Sequence, residues 1–411
     1  MKKRVVSFSF FIALVLLSST FMVYQDTVVI GDSQGVSVIQ EDLVERFRPS
    51  YEDHAPISIT GDENLTKMAE QNAWDGEGTL EEPYIIEGYN ISLSGTPGSC
   101  ITLYDISLYV VLRDCFIGNA TWGIYLVNVT RFSSIGNIIY GNGFGMYTLL
   151  CDHSIIMDTI FEEDYYGIYV EKAMNVHIEG CQFIKSWAAI DACDLVSSWI
   201  VDNTITDVEY GIVLEPSCID NEVRQNSISE ASSIGIIISL ASEYNKIVLN
   251  CLNSDSWGAY DDSAGTTNVF SHNYYSDYTS IDVDEDGVYD IPHLIPGVSG
   301  VYDYHPLRYE PLSPSWAYAP VDFEMELGSS CFRQLQVNSY PPIAHWVVND
   351  TLHFEIDHNG VLLDRGNLVL GEYGLEVNVT DLYGQSVTGV FKVTVVDSAY
   401  PVFVMTLEDI S

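Results

Sequence analysis

The stretch Gly123-Ile124-Tyr125-Leu126 decides the fold, because its pattern returns along the chain at a fixed interval. A glycine followed by an apolar residue recurs every 22 residues, and the last two repeats follow after 24 and 23 residues. The series consists of Gly123-Ile124, Gly145-Met146, Gly167-Ile168, Ala189-Ile190 (with alanine in place of glycine), Gly211-Ile212, Gly235-Ile236 and Gly258-Ala259. A repeat this short and this rich in β-formers predicts one turn of a parallel β-solenoid, in which equal positions stack about 4.8 Å apart.

Side chains alternate along each predicted strand. Ile124 and Leu126 are expected to point into the core of the solenoid, and Tyr125 to point outward. The glycine is expected at a corner between two strands, where the backbone needs a positive φ or a close approach to its neighbour. Small polar residues form a further column, which predicts a ladder of hydrogen bonds along one bend. That column holds Cys115, Asn137, Thr159, Cys181, Asn203, Asn226 and Asn250.

We therefore predict an all-β protein, with a single-stranded right-handed parallel β-helix of 22-residue turns followed by a small antiparallel β-sandwich. Residues 1–24 are predicted to be a signal peptide or N-terminal anchor, because three basic residues precede an apolar run. Residues 25–55 follow as an N-terminal arm. The β-helix is predicted over residues 56–275. A short α-helix, with Asp62 as its N-cap residue, is predicted to cover the open N-terminal end of the β-helix.

After residue 275 the sequence no longer follows the 22-residue repeat. Residues 276–320 are rich in aspartate and then in proline, which predicts a loop followed by a stiff linker. Residues 321–397 alternate apolar and polar side chains between turn signals, as in a β-sandwich of immunoglobulin or cadherin-like type. Residues 398–411 are predicted to be a C-terminal tail. With an export signal at the other end, we expect a secreted or cell-surface protein that meets a membrane only through an uncleaved N-terminal segment.

Composition narrows the possible partners. The chain carries 58 Asp and Glu against 16 Lys and Arg, and such an acidic surface repels phosphate backbones, so nucleic acid is excluded as a partner. The chain has eight cysteines and no Cys-x-x-Cys pair. Cys115 and Cys181 fall in one column three turns apart, too far for a disulfide. The cysteines are therefore expected to be buried, small apolar side chains.

The outward column Tyr125, Tyr147 and Tyr169 continues as Asp191, with Glu171 beside it. Aromatic rings next to carboxylates are typical of surfaces that hold carbohydrate, so we predict that these residues bind a polysaccharide or a cell-surface glycoprotein. Paired acids also permit acid–base chemistry, which leaves open a polysaccharide lyase, hydrolase or epimerase on the same face. Basic residues do not share one outward column, so no catalytic residue is assigned. A tyrosine column also stabilises a sheet without any ligand.

A calcium site is predicted in the acidic loop. Carboxylates at alternate positions around a glycine converge their oxygens on a hard cation such as Ca²⁺, and Asp277 or Asp303 is expected to complete the set. His293 stands where an EF-hand loop has its bidentate glutamate. The predicted ligands are Asp282, Asp284, Asp286 and Asp290.

Copper would need clustered His, Cys or Met side chains. The nearest patterns are the Cys151-Asp152-His153 run and three histidines of the irregular segment that could converge, His272, His293 and His305. An acidic surface loop or ordinary surface histidines explain the same patterns without any metal.

Three motifs add a family resemblance. They are the lead-in Trp74-x-Gly76-x-Gly78-Thr79 with Pro83-Tyr84-x-Ile86-Glu87-Gly88, the run Asn273-Tyr274-Tyr275-Ser276-Asp277-Tyr278, and Asp303-Tyr304-His305-Pro306-Leu307. With the 22-residue repeat, the chain resembles the NosD-like parallel β-helix repeat family of periplasmic copper-binding proteins, in its archaeal surface branch. The region around Trp346 and the Asp381-Leu-Tyr-Gly384 turn is similar to cadherin-like modules.

The resemblance implies the fold rather than a reaction. Our leading expectation is a non-enzymatic surface protein that binds carbohydrate or cell-surface ligands and Ca²⁺. The alternatives are the polysaccharide-active enzyme and, by resemblance, a NosD-like copper-binding maturation factor, for which the sequence offers no ligand motif.

Overall fold

The computed structural model describes residues 51–340, 342–381 and 384–397. The predicted signal or anchor, almost all of the N-terminal arm and the C-terminal tail lie outside the described residues. Within the described part, no helix is long and apolar enough to cross a membrane. The chain divides into two compact units, one ending at Arg308 and the other beginning at Tyr309.

The first unit is a parallel β-solenoid of about eight turns. Each turn contributes strands to three walls, in which strands pair with those of neighbouring turns. The first wall is divided into two sheets after Phe132–Ile135, and the third wall after Trp122–Val129. The first wall consists of Tyr84–Glu87, Val110–Arg113, Phe132–Ile135, Ile155–Met157, His177–Glu179, Trp199–Val201, Glu222–Arg224, Lys246–Val248 and Val269–Ser271, and is extended by Tyr302–Asp303 and His293–Leu294. The second wall consists of Glu52–Asp53, Tyr89–Ser92, Phe116–Gly118, Ile138–Tyr140, Ile160–Glu162, Gln182–Ile184, Cys251–Ser254 and Tyr274–Tyr275.

The third wall has the longest strands and carries the glycine repeat. It consists of Ile57–Thr60, Ser99–Ile106, Trp122–Val129, Phe144–Leu149, Tyr166–Met174, Ala188–Val196 and Trp257–Asp261, together with the ends of two strands that begin in the second wall, Thr204–Leu214 and Ser227–Ile238. Equal positions of the repeat face each other, as Ile168 does with Ile190 and Ile190 with Ile212. These isoleucines are fully buried in one continuous core. The predicted register is confirmed.

The repeated glycines serve close packing between turns. Gly167 lies inside the strand Tyr166–Met174 rather than at a corner, so the predicted corner position is wrong. A Cβ added to Gly211 would come within 2.3 Å of the carbonyl oxygen of Gly235 on the next turn, so the predicted close approach is confirmed. Positive φ angles at the corners belong to other residues, for example Asp114 and Asp158.

The polar column forms the predicted ladder. Asn203 Nδ2 donates to Asn226 Oδ1 at 2.9 Å, Asn226 Nδ2 to Asn250 Oδ1 at 3.0 Å, and Asn250 Nδ2 to Asn273 Oδ1 at 3.0 Å. The ladder ends on a buried carboxylate, because Asn273 Nδ2 donates to Asp303 Oδ2 at 3.1 Å. A segment predicted to be a loop thus closes the last turn of the solenoid.

The opposite end is covered by the helix Asp62–Asn72, which buries Leu65 and Ala69. The prediction of Asp62 as N-cap is wrong, because Gly61 occupies that position without a side-chain cap. The Asp62 carboxylate instead accepts hydrogen bonds from the backbone N–H and the hydroxyl of Ser107, and so ties the helix to the turn below it.

The second unit consists of two small sheets around their own core, with one further strand pair. One sheet has the order Phe323–Glu326, Ser386–Val396, Gly371–Asp381 and Ile343–Val348, and the other Phe332–Gln334, Val361–Asp364 and Phe354–Ile356. All pairings are antiparallel except that of Phe323–Glu326 with Ser386–Val396. The small sandwich is confirmed, and its likeness to immunoglobulin or cadherin-like modules stays a prediction.

The predicted linker also differs from the structure. Leu312–Trp316 is a strand of the second unit and pairs antiparallel with Val337–Tyr340, with a shift of register between Leu312 and Ser315. Prolines are tolerated in a strand that is paired on one side and irregular, which explains why the proline-rich sequence did not indicate a strand. Six of the eight cysteines are buried, and Cys193 and Cys251 are partly exposed.

Candidate functional site

The predicted tyrosine column forms on the outer side of the third wall. The rings of Tyr125 and Tyr147 stack at 4.8 Å between centroids, and those of Tyr147 and Tyr169 at 6.5 Å. Tyr169 pairs in register with Asp191 on the next turn. Glu171 lies two residues after Tyr169 on the same face, where it pairs with Lys172. All five predicted residues therefore lie on one face.

This column is much less exposed than the sequence predicts. Tyr169 is 1% and Asp191 4% exposed, although both point away from the core. Neighbouring rings cover Tyr169: Phe144 contacts it edge to face at 5.3 Å between centroids, and Tyr166 does so at 4.4 Å. The expectation of an open tyrosine surface is corrected, because aromatic residues also precede several of the repeated glycines, and their side chains fold over the column.

We call these covering residues the aromatic strip. It consists of Trp122, Phe144, Tyr165, Tyr166, Trp187 and Tyr210. Phe144 and Tyr166 are parallel at 5.0 Å, Tyr165 and Trp187 are parallel at 5.2 Å, and Tyr210 meets Trp187 edge to face at 5.1 Å. Tyr165 is 54% exposed and the other five are partly buried. The strip covers five successive turns, about 19 Å of the wall at the solenoid spacing.

The strip could not be predicted from the 22-residue spacing alone, because its residues occupy two different positions, one and two residues before the glycine. The signal was present in the aromatic residue that precedes Gly123, Gly145, Gly167 and Gly211.

Two carboxyl groups beside the strip have perturbed acidity. Burial raises the pKa of Asp191 well above its usual range, and the negative charge of Glu215 raises it further. Burial also raises the pKa of Glu215, which stays partly exposed. Asp191 Oδ1 has no hydrogen-bond partner within the described residues. The face therefore offers a buried carboxyl group, whose protonated form is favoured by burial, next to aromatic rings.

The tyrosines of this face stay neutral. Burial raises the pKa of Tyr147, Tyr166 and Tyr169, and for the last two the charge of Asp191 adds to the effect. Their hydroxyls are thus hydrogen-bonding groups across the physiological range rather than bases.

The acidic loop brings three of the four predicted calcium ligands together. One carboxylate oxygen each from Asp282, Asp284 and Asp286 lies within 4.8 Å of the others. Asp290 is outside that group and accepts a hydrogen bond from the Val283 N–H at 2.7 Å. Asp303 does not complete the set, because both of its oxygens accept hydrogen bonds at the end of the asparagine ladder.

The predicted histidines converge only in part. The rings of His272 and His305 stack at 4.8 Å, and Ser271 Oγ lies within hydrogen-bond distance of both Nδ1 atoms. His293 packs instead against Tyr275 and Tyr278, each at 4.4 Å. Cys151 is buried and bonds to the carbonyl of its own turn, so the run Cys151-Asp152-His153 is not a ligand group.

The donor chemistry does not fit copper. Across the part of the chain that the structure describes, the aspartate trio is the one group of three or more His, Cys, Asp or Glu side chains with converging ligand atoms. A set of carboxylate oxygens suits Ca²⁺ or Mg²⁺, whereas copper prefers imidazole and sulfur ligands.

A protein-family model matches most of the solenoid. No curated protein matches the chain. The family model described as periplasmic copper-binding protein (NosD) matches residues 71–287, from the end of the helix through the solenoid to the acidic loop. This region is more than half of the 411 residues and contains the repeat, the aromatic strip and the aspartate trio. The chain therefore belongs to the NosD family of parallel β-solenoid proteins.

Proposed function

We propose that this protein is an exported, non-catalytic binding protein that holds a polysaccharide, or the glycan of a cell-surface glycoprotein, against its aromatic strip. The observation that carries the proposal is the six-ring strip, which runs across five turns with Asp191 and Glu215 at its side.

The physical basis is the fit between rings and sugars. Aromatic side chains offer apolar surface to the C–H groups of a sugar ring, while carboxyl groups exchange hydrogen bonds with its hydroxyls. The rings are fixed by mutual contact, as Trp187 is by Tyr165 and Tyr210, so a ligand would not have to order them. Such preorganisation lowers the entropic cost of binding.

Charge indicates the class of polysaccharide. Glu171, Glu215 and the exposed Glu209 surround the strip, and the whole chain carries a formal charge of −42. A polyanion would be repelled by this field. The proposal is therefore for a neutral or amine-bearing polysaccharide. The periplasmic description of the family supports a location outside the cytoplasm.

A matched pair of tryptophans tests the proposal. Binding of the purified protein to an array of neutral, cationic and anionic glycans identifies a ligand, and titration gives its affinity. We expect Trp187→Ala to weaken binding by about 10-fold or more. Trp199→Ala is the control, because Trp199 is an exposed tryptophan on the first wall, away from the strip. Equal affinity of both variants, or binding to acidic glycans alone, would contradict the proposal.

A second candidate rests on the two perturbed acids. Neighbouring carboxyl groups with raised pKa values can act as a general acid and a general base, so cleavage of the bound polysaccharide is the alternative. Incubation with the polysaccharide bound on the array, followed by measurement of new reducing or unsaturated ends, decides between the two. Products that disappear in Asp191→Asn would favour the enzyme, whereas binding without products favours the proposal above.

A further inference from the structure

The acidic loop contains a carboxylate oxygen that nothing in the structure satisfies. The side chain of Asp282 is 2% exposed. Its Oδ2 accepts hydrogen bonds from the Gly287 N–H and from Arg308, each at 3.2 Å. Its Oδ1 is buried and has no partner among the described residues. A buried anionic oxygen without a partner is costly, so its position calls for a ligand.

The surroundings of Asp282 determine what that ligand is. Asp284 and Asp286 place their oxygens within 4.8 Å of the Asp282 ligand oxygen, and like charges at this distance repel. Arg308 is paired with Asp282 and offsets one of the three charges. A hard divalent cation would neutralise the rest and would satisfy the unpaired oxygen at the same time.

The spacing favours calcium over magnesium. Calcium accepts six to eight oxygens in flexible geometry. Loops of this kind bind the ion with side chains at positions one, three and five, with the backbone carbonyl of position seven, and through a water molecule with position nine. Here these are Asp282, Asp284, Asp286, Val288 and Asp290. Asp290 lies outside the trio, as expected for a ligand that acts through water. Magnesium requires stricter octahedral geometry and is seldom held by a protein loop alone.

We infer that residues 282–290 bind one Ca²⁺ ion, and that this ion fastens the segment that closes the C-terminal end of the solenoid. The loop is joined to that segment by two backbone hydrogen bonds of 2.9 Å, from Arg308 N–H to the Gly287 carbonyl and from Tyr289 N–H to the Pro306 carbonyl. Leu307 N–H in turn donates to the Asn273 carbonyl of the last turn at 2.9 Å. An ordered loop therefore holds the closing segment against the last turn of the solenoid. The inference does not depend on the proposed polysaccharide binding.

Calcium titration of the full chain tests the inference. The protein is freed of metal with a chelator and titrated calorimetrically with CaCl₂ at physiological ionic strength, where weak binding to scattered surface acids is screened. We expect one strong site in the wild type, and affinity lower by about 10-fold or more in Asp284→Ala. Glu285→Gln is the matched control, because it removes a neighbouring charge that is outside the trio. It is expected to keep the wild-type site.

Thermal unfolding provides the second readout. Calcium is expected to raise the unfolding midpoint of the wild type and of Glu285→Gln, and to have little effect on Asp284→Ala, since only the native loop binds the ion. Asp284 is exposed, so its replacement leaves the fold intact, and circular dichroism checks this. Absence of a strong site in the wild type would overturn the inference. Equal calcium affinity in Asp284→Ala and Glu285→Gln would overturn it as well.

Discussion

Asn273 Nδ2 donates a hydrogen bond of 3.1 Å to Asp303 Oδ2, and this contact joins the last rung of the asparagine ladder to a segment outside the repeat. The same oxygen accepts from the Asn273 N–H and from the Tyr275 hydroxyl, each at 3.1 Å. Asp303 is fully buried. One carboxylate thus satisfies donors that the end of a solenoid would otherwise leave unpaired.

We predict that Asp303→Ala lowers the free energy of unfolding by about 3 kcal/mol, because it leaves buried donors of Asn273 and Tyr275 without an acceptor. Chemical denaturation measures the change. Asp277→Ala, which removes an exposed carboxylate nearby, is the control and is expected to be neutral. Equal stability of the two variants would show that the ladder needs no terminal acceptor.

We predict that Gly211→Ala lowers the stability of the solenoid by about 1–3 kcal/mol, because the new Cβ would lie 2.3 Å from the Gly235 carbonyl oxygen and force the turns apart. Gly265→Ala is the control, since a Cβ there meets nothing closer than 4.0 Å. Thermal denaturation compares the stability of the two variants with that of the wild type. If Gly211→Ala melts like the wild type, the turns do not approach each other as closely as described.

The raised pKa of Asp191 predicts that the stability of the folded protein depends on pH. Its carboxyl pKa is raised in the folded protein above the ordinary aspartate value of 3.8, first by burial and then by the charge of Glu215. Below pH 3.8 both folded and unfolded chains hold the proton, so the stability that this group provides is complete there. As the pH rises through the folded pKa, that stability is lost.

Asp191→Asn stays neutral at every pH, so it is expected to match the wild type in acid and to exceed it by about 1–3 kcal/mol near neutral pH. Thermal unfolding of both proteins across this range measures the difference. Asp194→Asn, on the same strand, serves as the control. A difference between Asp191→Asn and wild type that is the same at every pH would contradict the assignment.

The 22-residue period was sufficient to predict the solenoid, the inward isoleucines and the asparagine ladder, because equal offsets must stack in a solenoid. It was not sufficient to predict burial outside the core. Tyr169 is covered by Phe144 and Tyr166, which belong to another column, and only side-chain packing between columns determines that cover. The position of Asp303 at the end of the ladder was likewise not predictable, because it depends on a chain return of 30 residues from Asn273.

The family name suggests copper, whereas the side chains available as ligands predict that the described residues do not hold it. After exposure to excess Cu(I) or Cu(II) and desalting, we expect less than one copper per chain by mass spectrometry, because His272 and His305 pair with each other and His293 lies apart from them. Both oxidation states are needed, since they prefer different ligands. One copper per chain that is lost in His272→Ala would establish a copper site at this pair.

Carbohydrate binding at the aromatic strip is tested most directly by a crystal structure of the protein with the oligosaccharide that binds best on the glycan array. We predict a sugar ring packed against Trp187 or Tyr210, with a hydroxyl group within hydrogen-bond distance of Glu215. A ligand bound on the first or second wall, or in the second unit, with the aromatic strip uncovered, would contradict it.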